Sequence, residues 1–185
     1  MRKLIGGMAV VAVLMSVAAA AEAQRRAAPA SGAKHEFGVD VGVAYTKYEN
    51  VDGGFEIGTP LDVRVGLIPR AGKMMWEPRF AIGIATWGGS TRYQFTPGVN
   101  VLFSNSPGGH RRGMYLTGGA GLHLEDDGAN SGTGFMLNGG VGWRKPYGSA
   151  AWRYEVGFQY TSEMTDLGIP SRIQIGARLG VSLWH

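Results

Sequence analysis

The chain has no cysteine among its 185 residues, so a disulfide scaffold and thiol chemistry are excluded. After its first 23 residues it also lacks any apolar run long enough for a membrane-spanning helix. Metal-ligand spacings and a paired-carboxylate cleft are absent, and the glycines at 118, 119 and 121 precede no helix that would hold a phosphate. The length suggests one domain. We therefore predict a single domain without a cofactor, a metal site or catalytic residues.

The N-terminus carries the pattern of an export signal. Residues 1–3 are basic, residues 4–21 are apolar, and Ala21-Glu22-Ala23 fits the small-x-small cleavage pattern. We predict a signal peptide over residues 1–23, with a permanent anchor helix as the alternative. Residues 24–34 are small, polar and basic, which indicates a flexible leader before a domain over 35–185. The net charge of +4 comes from scattered arginines in an exported chain, so we expect no nucleic-acid partner.

The remaining residues alternate between apolar and polar side chains. In residues 173–183 every second side chain is Ile, Ala, Leu or Val, while the side chains between include Gln174, Gly176, Arg178 and Gly180. This is the period of a β-strand, because successive side chains point to opposite faces. Eight segments follow the pattern: 35–47, 61–68, 74–87, 91–104, 113–125, 134–144, 150–161 and 173–185. Most match the roughly 9–11 residues of a tilted membrane strand. Pro97, in mid-strand, is expected to require a bulge.

The two faces of these strands differ in charge. Apart from Lys47 at the end of its segment, the apolar faces carry no Asp, Glu, Lys or Arg, which suits either a lipid-facing wall or a soluble core. The polar faces carry six acids and six arginines but no lysine, and arginine makes the multidentate pairs that a closed polar interior needs. Glycines on these faces would make room for long neighbouring side chains. We predict a balanced charge network filling a lumen, with His123 as a hydrogen-bonding member: Glu36, Asp40, Asp62, Arg64, Glu77, Arg79, Arg92, His123, Glu125, Arg144, Arg153, Glu155 and Arg178.

Aromatic residues support a membrane barrel. Tyr45, Tyr93, Phe135 and Tyr160 fall towards one end of the alternating strands, and Phe80, Phe103, Trp143 and Trp152 towards the other. Two such girdles mark the water–lipid interfaces of membrane barrels, whereas a soluble core would place its large rings centrally.

The chain resembles the small eight-stranded outer-membrane barrels of Gram-negative bacteria, of the OmpA/OmpX type. In that family the last strand carries an insertion signal that ends in a hydrophobic residue, any residue and an aromatic residue. Residues 178–185 match it at Arg178, Gly180, Leu183 and His185, with His185 where the family usually has Phe. The resemblance implies an eight-stranded antiparallel up-and-down transmembrane β-barrel in the outer membrane, with both termini in the periplasm. Its implied partners are outer-membrane lipids, lipopolysaccharide and the barrel-assembly machinery, and a monomer is expected.

The expected role is structural support of the envelope or a surface interaction, with a plugged lumen and no enzymatic activity. One alternative is a lipid A-modifying barrel enzyme. Known deacylases of that kind have a His-x-Ser pair, but His123 is followed two residues later by Glu125. The other alternative is a soluble exported barrel that binds an apolar ligand, which requires the apolar faces to point inward.

Overall fold

The computed structural model describes residues 35–49, 54–56, 61–69, 73–87, 90–104 and 109–184. The predicted signal peptide (1–23), the predicted leader (24–34) and His185 lie outside these ranges. The described residues form nine strands: β1 (His35–Tyr48), β2 (Gly54–Glu56), β3 (Leu61–Leu67), β4 (Met74–Trp87), β5 (Ser90–Ser104), β6 (Gly113–Asp126), β7 (Ser131–Tyr147), β8 (Ala150–Thr161) and β9 (Arg172–Trp184). Within them no helix has the length and hydropathy of a membrane span.

The strands close into an antiparallel barrel. From β3 to β9 each strand pairs with the next along the chain, and β9 returns to β1 over the register from Glu36↔Trp184 to Tyr48↔Arg172. The other edge of β1 pairs with β3 near its start and with the short β2 near its end. Because β2 and β3 share one place beside β1, the barrel has eight strand positions. The predicted eight-stranded up-and-down barrel is confirmed.

The apolar faces point away from the barrel axis. Large apolar side chains such as Ile84 (68% exposed) and Ile175 (60%) lie on the outside, whereas Arg64, Glu77 and Asn100 on the opposite faces are fully buried. This orientation is the reverse of a soluble protein, in which the large apolar side chains are mostly buried. The arrangement required by the soluble ligand-binding alternative is therefore not the one observed.

Several predicted boundaries were wrong. The predicted loop 48–60 contains β2. The last part of β1, which extends to Tyr48, pairs with residues 54–56. The predicted loop 126–133 is shorter, since Asp127 accepts backbone N–H bonds from Ala129 and Asn130 and β7 begins at Ser131. At its other end β7 continues through the predicted turn to Tyr147.

Pro97 is accommodated without the expected bulge. The β5–β6 pairs Phe95↔Leu124 and Gly98↔Gly121 have the same register on both sides of it. Only the two ladder pairs between them are missing, as expected where a proline has no N–H to donate.

The aromatic side chains follow the predicted distribution with one exception. Tyr45 and Tyr160 lie near the ends of β1 and β8 that are far from the chain termini, and Trp143 and Trp152 near the opposite ends of β7 and β8; all four are exposed. Phe80 was assigned to the second group but lies in mid-strand, stacked on Phe95 with ring centroids 6.1 Å apart.

Candidate functional site

Arg64 is the centre of a charged cluster in the half of the lumen nearer the chain termini. Its Nε and Nη2 donate to the two carboxylate oxygens of Asp40 at 2.7 and 3.0 Å. Its Nη1 donates to Glu36, and Nη2 also donates to Ser182 Oγ at 3.1 Å. The Arg64 guanidinium therefore links β3 to β1 and β9, the two strands whose pairing closes the barrel.

Arg144 and Arg153 extend this cluster across the lumen. Arg144 donates to Glu36 at 2.6 Å and to the backbone carbonyl of His110 at 2.8 Å. Arg153 donates to Glu77 at 2.6 Å and to Glu155 at 2.5 Å. Strands that are not neighbours in the barrel are thereby tied together through its centre.

Two further side chains complete what we call the lower network. The Tyr115 hydroxyl donates to Glu155 at 2.9 Å, while Arg144 and Arg153 lie 4.8 and 5.1 Å from the Tyr115 ring centroid. Arg178 donates to the second oxygen of Glu155 at 3.0 Å. The lower network comprises Glu36, Asp40, Arg64, Glu77, Tyr115, Arg144, Arg153, Glu155, Arg178 and Ser182.

The lower network is electrically balanced. It holds four carboxylates and four guanidinium groups, and a separate Asp62–Arg79 ion pair lies beside it. Balance matters here because an uncompensated charge in such a buried place costs several kcal/mol, about 3–5 when one partner of a buried pair is removed. The acids and arginines of this half of the lumen depend on one another.

Glycines make the space that the network occupies. A Cβ at Gly38 would overlap the Arg64 guanidinium, and a Cβ at Gly180 would overlap the Asp40 carboxylate. At Gly142 a Cβ would meet the Tyr115 phenol ring. These three polar-face glycines therefore have the packing role that the sequence predicted.

We expect Gly142→Ala to lower the free energy of unfolding by about 1–3 kcal/mol, since the methyl group displaces the Tyr115 ring from between two arginines. Gly118→Ala is the matched control, because the nearest atom to its Cβ is a backbone oxygen at 3.9 Å on the outer face. Urea unfolding in lipid vesicles, followed by tryptophan fluorescence, measures both. Equal effects would contradict the packing role.

Trp184 covers the lower network on the side of the termini. It is 3% exposed and packs with Met75, Leu102 and Tyr115 in a small apolar cluster inside the barrel. Arg144 lies 5.3 Å and Arg111 6.0 Å from its ring centroid. This apolar cluster lies beside the charges at the end of the barrel with the chain termini.

A second cluster, the upper cluster, lies towards the other end and consists of Arg92, Thr96, His123, Glu125 and Arg172. Arg172 Nη2 lies 2.7 Å from His123 Nε2, and His123 Nδ1 lies 2.8 Å from Thr96 Oγ1. A guanidinium group only donates hydrogen bonds, so Nε2 accepts and Nδ1 carries the proton that is donated to Thr96. Arg92 donates to Glu125 at 3.2 Å.

Arg172 raises the number of lumen arginines to seven. The predicted balance of six against six omitted it, although it is 4% exposed and lies 3.5 Å from Glu125. The additional charge is tolerated because the Arg92 side chain is 44% exposed and remains solvated. Tyr115, Ser182 and Trp184 were also not predicted as members, although all share the polar parity of their strands.

Between the two clusters the lumen holds a cavity of about 120 Å³. Its lining mixes apolar residues with polar ones, and the polar ones include Asp62, Arg79, Gln94, His123, Gln159 and Arg178. A water molecule needs roughly 10–15 Å³ of such volume, so the cavity has room for several. Its lining includes residues of both clusters.

The geometry offers little for catalysis or metal binding. Among the described residues no group of three His, Asp or Glu side chains has metal-binding geometry. His123 is 4% exposed and belongs to the lumen, so it does not face the lipid side of the wall.

The described members of the predicted insertion signal have structural contacts of their own. Arg178 binds Glu155, and Gly180 lies under Asp40. Leu183 pairs with Phe37 and Ala150. Their role in insertion stays a prediction.

Comparison with known proteins agrees with the fold. No protein-family model and no curated protein matches the chain significantly. Among solved structures, Neisserial surface protein A (NspA) is similar with a TM-score of 0.59 and 11% identity, over 84% of this chain and 100% of that one. The attachment invasion locus protein Ail of Yersinia pestis is similar with a TM-score of 0.51 and 10% identity, over 82% of this chain and 97% of that one. The chain therefore has the fold of the small eight-stranded outer-membrane β-barrels.

Proposed function

We propose that the protein is an integral outer-membrane barrel with a structural role in the envelope, and that its lumen is plugged. The observation that carries this proposal is the outward apolar wall combined with the buried charges inside. An exposed apolar patch on a soluble protein rarely exceeds a few hundred Å², whereas here apolar side chains are exposed on all eight strand positions. A lipid bilayer is the solvent that such a wall requires.

The side-chain layers inside the barrel support the proposed plug. An eight-stranded barrel is just wide enough for side chains to fill, and the lower network and Trp184 occupy its centre. A general diffusion pore is not supported by this arrangement, and neither is a lipid A-modifying enzyme, since His123 lies inside.

The connections also favour a structural role over adhesion. At the end opposite the termini, two residues connect β4 to β5, four connect β6 to β7, five connect β1 to β2 and ten connect β8 to β9. Such short connections offer little binding area. We propose that this end faces outward, that both termini lie in the periplasm, and that the barrel-assembly machinery inserts the chain as a monomer among outer-membrane lipids and lipopolysaccharide.

We expect the refolded protein to show heat-modifiable mobility. In detergent or lipid vesicles the unboiled sample should migrate faster than the boiled one, because the closed barrel stays compact in the gel. A detergent-free sample is the control and should show no faster band, since the outer wall has no lipid or detergent to cover it. A folded, soluble monomer without detergent would overturn the proposal.

A further inference from the structure

The charges of the connecting segments are completely segregated between the two ends of the barrel. At the end with the chain termini, residues 68–73, 104–112 and 145–149 contain five Lys or Arg and no Asp or Glu. At the other end, residues 49–60, 88–89, 126–130 and 162–171 contain seven Asp or Glu and no Lys or Arg. A scattered, solvated surface would mix the signs. The end with the chain termini is therefore basic, and the other end is acidic apart from Lys47 and Arg92 in the adjoining strands.

Three of the five bases form what we call the basic collar: Lys73, Arg112 and Lys145. All three side chains are exposed. Lys145 follows Trp143 by two residues on the same strand and so shares its outward face, roughly 7 Å further along. It also pairs across the ladder with the outward Trp152. Since exposed tryptophans mark the level of lipid headgroups, Lys145 lies at or just beyond that level.

Two members of the collar adjoin the first pair of one ladder. The β6–β7 ladder begins with the pair Gly113↔Arg144, and the residues immediately beyond that pair are Arg112 and Lys145. Like charges close to each other repel unless something neutralises them. No acid in the connections at this end is available to do so. The pair is suited to an anion from outside the chain.

We propose that the basic collar binds the phosphate headgroups of anionic phospholipids. This inference rests on the proposed membrane location of the barrel. A lipid is favoured over a periplasmic polymer because the bases follow the tryptophan level on the outer wall, with Trp76 three residues from Lys73 and Trp143 two from Lys145. Lysine and arginine near a headgroup layer attract anionic lipid, and each contributes separately.

Fluorescence quenching by brominated lipids tests the inference. The folded protein is placed in phosphatidylcholine vesicles that contain an equal mole fraction of either dibrominated phosphatidylglycerol or dibrominated phosphatidylcholine. Trp76, Trp143 and Trp152 report lipid contact at the collar, because all three are exposed on the outer wall. We expect the anionic quencher to be enriched about two- to fivefold over the neutral one, and the enrichment to decrease in high salt.

Matched variants identify which side chains cause the preference for anionic lipid. Lys145→Gln should reduce the enrichment, and Lys73→Gln/Arg112→Gln/Lys145→Gln should abolish it. Lys47→Gln removes the same charge from an exposed side chain at the opposite end of β1 and should leave the enrichment unchanged. Heat-modifiable mobility confirms that each variant is folded.

Three results would overturn the inference. They are no enrichment in the wild-type protein, enrichment that persists in the triple variant, and equal losses in Lys145→Gln and Lys47→Gln. Sedimentation with purified peptidoglycan that is lost in the triple variant, without any lipid preference, would assign the collar to a polymer instead. If the wild-type protein shows heat-modifiable mobility but no preference for anionic lipid, only the lipid-binding role of the basic collar is refuted. If it shows no heat-modifiable mobility, the proposed function itself is refuted.

Discussion

Arg64→Met is expected to lower the free energy of unfolding by about 3–5 kcal/mol, because it leaves buried carboxylates without their partner. Arg64 is fully buried and binds both Asp40 and Glu36. Methionine has similar length and fills the space without supplying charge. The measurement is urea unfolding in lipid vesicles, followed by tryptophan fluorescence.

The matched control is Arg92→Met. It removes the same group from an ion pair with Glu125, but the Arg92 side chain is 44% exposed. The expected loss is about 0–1 kcal/mol, because solvent screens the exposed arginine and Glu125 keeps Arg172 at 3.5 Å. The difference in unfolding free energy between the two variants measures the effect of burial, because both variants lose an arginine.

A double variant separates charge from packing. Asp40 has Arg64 as its hydrogen-bonded partner, while Arg153 Nε is 3.9 Å away, and Glu36 keeps Arg144. Arg64→Met/Asp40→Asn should therefore recover part of the loss, because it removes the carboxylate that was left unpaired. A loss below about 1 kcal/mol for Arg64→Met would contradict the view that the lower network stabilises the barrel.

The barrel itself was predictable because its pattern is local. In residues 173–183 the period of two determines both the strand and its two faces, whatever the strand pairs with. The glycines could be interpreted in the same way, since a glycine on a polar strand face is explained by a long neighbour inside a narrow barrel. Gly180 is an example, because a Cβ there would overlap the Asp40 carboxylate.

The pairing within the lumen could not be predicted from the same pattern. Which acid meets which arginine depends on strand stagger and on distances across the barrel, and Arg144 binds Glu36 across 108 positions of sequence. The odd or even position of a residue in its strand gives the face on which it lies. It does not give the depth of the residue along the barrel axis or its partner. The two clusters and the cavity between them therefore emerge only from the three-dimensional arrangement.

Arg172 was missed although a signal was present. It follows the polar segment 162–171, which was interpreted as loop up to its end. However, it shares the parity of Gln174 and Arg178 and extends the polar face of β9 by one position. Strand ends are the least certain part of a pattern-based prediction, and a charged residue there is easily assigned to the loop.

Val156→Arg tests the outer wall directly and is expected to destabilise the barrel by about 2–4 kcal/mol in lipid vesicles. Val156 is 56% exposed near the middle of β8 and pairs with Val141 and Ala177. On a soluble protein, a substitution at such an exposed site usually changes stability by less than about 0.5 kcal/mol. The large effect arises only if hydrocarbon surrounds this part of the wall.

Ile173→Arg is the control at a different depth. Ile173 is 51% exposed and is the second residue of β9, next to Tyr160 in the ladder. The guanidinium can reach the headgroup region from there, so the expected loss is about 0–1 kcal/mol. A large loss at Val156 with a small loss at Ile173 would give the depth profile of a lipid bilayer. Small losses at both sites would mean that the outward apolar faces are not covered by lipid, and the membrane barrel would have to be abandoned.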